Sequence, residues 1–138
     1  TLTLKGGTAS ASFLDFDERM KGTFTGILEE ESETVPVDTL DAVYARHSLP
    51  QPDLIKIDVQ GLELEVLRGA RQVLQQTKMV VIELSTREFY EKQEPMWQIL
   101  KELHESGFFL AEIGYIWRED YDHHQPILQI DGIFVKQS

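Results

Sequence analysis

Apolar positions along this chain follow two periods, and the places where one gives way to the other mark its elements. "DLIKIDV" (53–59) has the short apolar content of a strand. "KMVVIEL" (78–84) is nearly continuous in apolar residues, as strands covered on both faces tend to be. Between them, Leu62, Val66, Leu67, Ala70, Val73 and Leu74 share one stripe of a helix over 61–76. Pro95 at a first helical turn opens "PMWQILKELHESG", with Trp97 in its apolar face, and Gly107 closes it. "FFLAEIG" and "ILQIDGIFVK" read as two further strands, separated by the polar and aromatic loop "YIWREDYDHHQP". Strand–helix–strand–helix–strand predicts an α/β sheet with right-handed parallel crossovers. The last two strands have no helix between them, so the final strand is expected to run antiparallel to its neighbour.

The amino-terminal part has a different texture. Thr1 to Lys5 alternates as an exposed strand does, and "GGTASASFLDF" follows as a loop. Asp15 to Glu33 is polar, contains glycine and closes on "EEESE", a run that reads as a solvated face. "TVPVDTL" predicts a short strand that its proline confines to a sheet edge, able to pair back on "TLTLK" as a two-stranded arm. Asp38 or Thr39 then caps a helix through about His47, which "LPQP" ends. The expected organisation is a β arm and polar loop over 1–38 and an α/β core over 39–138.

Composition narrows the functional classes. A chain of 138 residues with 41% hydrophobic and 27% charged residues has the make-up of one ordinary soluble domain or part of one. The absence of cysteine excludes disulfides, thiolate metal sites and cysteine nucleophiles, and fits a cytoplasmic setting. A net charge of -11 argues against a nucleic-acid or anionic-membrane partner, because phosphate contacts need clustered Lys and Arg. No apolar run has the length of a membrane span, and no signal peptide opens the chain. "TLTLKGG" begins as though in mid-strand, so the chain reads as a portion of something longer.

The candidate chemistry gathers around one turn. In open α/β sheets, ligands sit outside the carboxyl ends of strands. Asp58 lies at such an end, just before the helix start at Gly61 and Leu62, and Glu83 occupies the corresponding end of the next strand. Two carboxylates there make an acidic floor for a cationic or hydroxyl-bearing ligand; the plainer reading of Asp58 is a turn carboxylate bonded to local N–H groups. Glu63 and Glu65 lie in the first helical turn, where the helix dipole favours negative charge. Lys56, mid-strand, is expected to pair with Glu83 across the strands. Gly69 inside the helix implies close approach of its backbone to the sheet. His123 and His124 beside Asp120 and Asp122 raise a metal reading, which is disfavoured because neighbouring histidines in a polar loop rarely converge without a fixed backbone. Tyr115, Trp117 and Tyr121 are either solvated loop residues or an aromatic, sugar-contacting lip.

"VPVDTLDAV", "PDLIKIDVQGLELEVLRGA" and "KMVVIEL", in that order over about residues 35–85, resemble the carboxyl-terminal half of FkbM-type methyltransferases. Gln60 departs from the glutamate common there, and "TASASFL" is similar to a serine-containing loop of the family. The resemblance implies a partial doubly wound, Rossmann-like sheet and S-adenosylmethionine as cofactor. Its acceptor would be a hydroxyl of a sugar, other glycan or small natural product. It places Asp58, Gly61 and Glu63 at the cofactor and Asp58 or Glu83 as acceptor of the hydroxyl proton, with no metal. The family's glycine-rich cofactor loop and ribose-binding acid have no counterpart in the chain, so "DLIKIDV" is expected to expose a sheet edge open to self-association. Two other classes remain open on the residues alone: a non-catalytic α/β interaction module, and a metal-dependent hydrolase using Asp58 and Glu83.

Overall fold

The structure, a computed structural model, describes residues 1–5, 11–20, 32–119 and 125–137. Two short strands, β1 (Leu2–Lys5) and β2 (Ser32–Val35), pair antiparallel with Leu2 opposite Val35. A two-stranded arm was expected, but its second strand lies earlier than the expected 34–40: it ends before Pro36 and takes in Ser32 and Glu33 of the acidic run. The core follows as α1 (Leu40–His47), β3 (Leu54–Ile57), α2 (Glu63–Arg68), α3 (Arg71–Gln76), β4 (Met79–Ser85), α4 (Met96–Glu105), β5 (Phe108–Arg118) and β6 (Ile127–Lys136).

β3 and β4 are parallel, with Lys56 opposite Val81 and Ile57 opposite Ile82, as a helical crossover between them requires. β6 is antiparallel to both its neighbours, and the order across the sheet is β3-β4-β6-β5. The last strand therefore does not extend the sheet beyond β5 but fills the gap between β4 and β5. β5 is longer than the sequence pattern suggests: Tyr115 to Arg118 continue the strand through irregular register, where a loop was expected. The remainder of that expected loop, with Asp120, Tyr121, Asp122, His123 and His124, lies outside the described residues.

One face of the sheet carries the core. Val80, Ile82 and Leu84 of β4 are fully buried with Ile57 against Leu64 and Leu67 of α2, Leu74 of α3, and Ile99 and Leu103 of α4. The other face of β4 (Met79, Val81, Glu83) is only half-buried, so the near-continuous apolar run does not signify full cover on both faces among the described residues. In α4 the buried stripe is Ile99 and Leu103, with Met96 and Leu100 beside it. Trp97 stands one position off that stripe and is 61% exposed, correcting its expected place in the core.

The helix expected over 61–76 is broken at Gly69 and Ala70, and the break has a visible cause. Thr39 caps α1, its Oγ1 accepting from the Ala42 N–H at 3.2 Å. A Cβ on Gly69 would lie 3.3 Å from Thr39 Cβ, so Gly69 serves close approach to α1 and not, as expected, to the sheet. The Asp41 N–H donates to the Gly69 carbonyl at 2.9 Å, and the Asp41 carboxylate accepts from the N–H groups of Gln72 and Val73 at 3.0–3.1 Å. Asp41 thus satisfies the free donors at the start of α3 from a neighbouring helix.

Candidate active site

The chain leaves β3 through a tight turn, Asp58 to Gly61, with Gln60 at φ +54° and Gly61 at φ +105°. Positive φ at two successive residues is costly for side-chain-bearing residues and needs local support. Glu63 supplies it. Its carboxylate, 3% exposed as a residue, accepts from the N–H of Val59 at 3.2 Å and of Gly61 at 3.1 Å. Burial raises the Glu63 carboxyl above its ordinary range, while the turn N–H groups pull it back down. Gly61 faces protein as well: a Cβ there would meet Tyr90 Cδ2 at 2.9 Å and Leu14 at 3.1 Å. Gly61 and Glu63, two of the three residues expected at a cofactor, are therefore turned inward and occupied with the turn itself. The serine loop completes the support, since the Ser12 hydroxyl donates to the Gln60 carbonyl at 2.6 Å.

Asp58 remains partly open, its side chain 34% exposed. Lys56, two residues earlier on the same face of β3, donates to it at 2.7 Å. This pair replaces the expected Lys56–Glu83 pair, and the lysine is 55% exposed in its side chain, not shielded. A neighbour along the strand is nearer than one across it. Gln60 links the carboxylates: its amide donates to Asp58 at 3.0 Å and, more distantly, to Glu83 at 3.4 Å. Its carbonyl oxygen accepts from the Tyr90 hydroxyl at 2.6 Å. A glutamate at position 60 could not make both donations, so the family departure substitutes a neutral bridge for another charge.

Glu83 lies opposite Asp131 in the β4–β6 register, and Gln129 lies opposite both Ser85 and Trp117. The Gln129 amide donates to Glu83 Oε2 at 2.9 Å. Burial, followed by the negative charges of Asp58, Glu63 and Asp131, pushes the Glu83 carboxyl up to about 7, against the smaller opposing pull of Lys56. Burial, followed by the negative charges of Glu83, Glu63 and Asp58, pushes the Tyr90 hydroxyl far upward, so it stays protonated and acts as a donor. A shallow hollow of about 260 Å³ opens over this cluster, lined by Glu83, Tyr115, Trp117, Gln129, Ile130 and Asp131.

The structure thus joins Asp58 and Glu83 through Gln60, and it adds Tyr90, Gln129 and Asp131, which the sequence reading passed over. Gln129 and Asp131 carried a signal: two polar residues spaced by two inside "ILQIDGIFVK" mark a polar stretch on one strand face. Tyr90 sits in an irregular segment and carried none. Among the described residues, no three His, Asp or Glu side chains converge as metal ligands, and no helix is long and apolar enough to cross a membrane.

A family model described as the methyltransferase FkbM domain matches residues 2–115. The hexuronic acid methyltransferase AglP of Haloferax volcanii is 36% identical over 55 residues, which are 40% of this chain and 23% of that protein. The 2-O-methyltransferase NoeI of Sinorhizobium fredii is 37% identical over 67 residues, 49% of this chain and 28% of that protein. The matched segments thus cover less than a third of either relative's length. No solved structure matches the chain at a comparable level of significance.

Proposed function

Because the chain belongs to the FkbM methyltransferase family, we propose that it takes part in S-adenosylmethionine-dependent methylation of a hydroxyl group, on a sugar or a small natural product. The observation that carries this reading is a carboxylate at the end of β4, Glu83, pushed up to about 7 and held beside a hollow. A group that titrates near neutral pH can take a proton from an acceptor hydroxyl as its oxygen becomes a nucleophile, without being ionised and idle or permanently protonated. One relative is named for a hexuronic acid, a sugar, and another for transfer to an oxygen, which together support a sugar oxygen as the acceptor.

The cofactor's fit rests on charge. S-adenosylmethionine supplies an activated methyl on a sulfonium centre and carries an ammonium group. Asp58, Glu83 and Asp131 outnumber the lysine beside them, and the site is therefore suited to a cationic molecule. Asp58 keeps an open face at the carboxyl end of β3, where it can hold the ammonium. Glu63 and Gly61 fix the turn that positions Asp58, and Gln60 sets the distance between Asp58 and Glu83. The chain's work is then alignment and exclusion of water, with one proton moved to Glu83. A Rossmann-like arrangement of the whole domain accords with the parallel β3–α2–α3–β4 crossover.

The test compares wild type with Asp58→Asn in the full-length protein, by calorimetry with S-adenosylmethionine and by methyl-transfer rate on sugar acceptors. Asparagine keeps the size and an oxygen that can accept from Gln60 but deletes the charge. A loss of about 10²-fold in cofactor affinity or in turnover is expected. Wild-type values in both measurements would remove Asp58 from the site, and failure of the wild type to bind the cofactor would overturn the reading.

A further inference from the structure

The hollow beside Glu83 lies where the period of the strands puts polar and aromatic side chains side by side. Gln129 and Trp117 are opposite each other across β6 and β5, and Glu83 and Asp131 across β4 and β6. Tyr115 is 65% exposed at its rim. Trp117 is partly buried at its base against Phe89, with ring centroids 6.0 Å apart at an interplanar angle of 43°. An aromatic wall facing a row of carboxylate and amide groups matches a molecule with one C–H face and an edge of hydroxyls. A volume of about 260 Å³ holds one ring and not an extended chain of them. Both described donors to Glu83, from Gln60 and Gln129, reach the same oxygen, Oε2. Among the described residues, Oε1 keeps its lone pairs for an incoming hydroxyl.

We infer that this hollow is the acceptor subsite and that it takes an uncharged sugar ring in preference to a uronate. The aromatic pair supplies the stacking surface, Asp131 and Gln129 read ring hydroxyls, and Glu83 faces the hydroxyl to be methylated. Selection against a carboxylate on the sugar comes from the same residues. Glu83 and Asp131 line the hollow, Asp58 is joined to Glu83 through Gln60, and the lysine nearby is engaged with Asp58. A third acid brought into that row would meet like charge at close range. The inference rests on the methyltransferase reading for the word acceptor, but the sugar site itself stands on the hollow alone.

Saturation-transfer NMR on the full-length protein, with and without S-adenosylhomocysteine, tests it using methyl glucopyranoside and methyl glucuronide as probes at pH 8. Saturation should pass to the ring C–H protons of the neutral glycoside, with the glucuronide bound about ten-fold more weakly or worse. Tyr115→Ala, at a position too exposed to unfold the protein, should weaken the neutral sugar by up to about ten-fold. Asp131→Asn should narrow the gap between the two sugars, with an unchanged melting curve. Equal binding of both sugars, no binding of either, or a Tyr115→Ala variant that binds like wild type would each overturn the inference. Calorimetry with S-adenosylhomocysteine on the same samples separates the two readings. Sugar binding without cofactor binding keeps the subsite and removes the methyltransferase, and cofactor binding without sugar binding does the reverse.

Discussion

Replacing Glu83 with glutamine should stabilise the protein at pH 8 and do much less at pH 5. In the folded protein the Glu83 carboxyl is pushed from an ordinary 4.5 up to about 7, first by burial and then by Asp58, Glu63 and Asp131. Between those two values the folded state holds a proton that the unfolded chain has released. Stability therefore falls as pH rises through that window, and the loss is complete above about 7. A displacement of that size corresponds to roughly 3 kcal/mol at about 1.4 kcal/mol per pH unit. Solvent screening of a half-buried side chain reduces this to about 1–2 kcal/mol. Glutamine is neutral at every pH, and its carbonyl oxygen can still accept from Gln60 and Gln129. Urea melts of both proteins at pH 5 and pH 8 measure the difference. A gain of about 1–2 kcal/mol at pH 8 that shrinks by more than half at pH 5 is the expected result. A gain independent of pH, or a loss at pH 8, would show that Glu83 carries no such strain. The same substitution should lower methyl transfer by about 10²-fold or more, since the amide accepts no proton; stability and activity would then move in opposite directions.

Substitutions at three further positions probe the frame around the site. Gly61→Ala forces a Cβ against Tyr90 at a positive φ, and thermal melts should register a loss of about 1–3 kcal/mol. Asp41→Ala strips the cap from α3 and should cost about 1–2 kcal/mol in denaturant, with Asp41→Asn recovering part of it. Lys56→Met, which a shielded pair would make severe, should change stability by less than about 1 kcal/mol, because the lysine pairs with Asp58 at an exposed position.

Much of the frame could be read from local pattern. Apolar pattern located β3, β4 and α4, one of the two cap candidates, Thr39, caps α1, and Gly107, at φ +81°, marks the end of α4. The parallel pairing of β3 with β4 followed from the helices between them. What escaped was whatever depends on distant residues meeting. No local rule states that Asp41 would cap α3 and divide one expected helix into two, although "TLD" and "RGA" supply both halves of that contact. Lys56 was assigned a partner by burial logic, but its strand face is open and Asp58 lies two residues along on the same side. Asp58 follows β3 directly and Glu83 lies two residues before the end of β4, near the strand ends where they were expected. Their connection through Gln60 required the left-handed turn, which a glutamine does not announce.

The placement of β6 between β4 and β5 also has a consequence in time. A chain is made from its amino terminus onward, and domains tend to form as units as they emerge. Here β4 and β5 are not paired with each other: β4 pairs with β3 before it, but its other edge and all of β5 wait for a strand that follows both. Until residues 127–136 have left the ribosome, half the sheet exists only as unpaired edges, and Glu83 has neither Gln129 nor Asp131 beside it. Gln129 and Asp131 thus join the acidic cluster only once β6 has emerged, and a nascent chain stopped before β6 would hold Asp58, Gln60 and Glu83 without them.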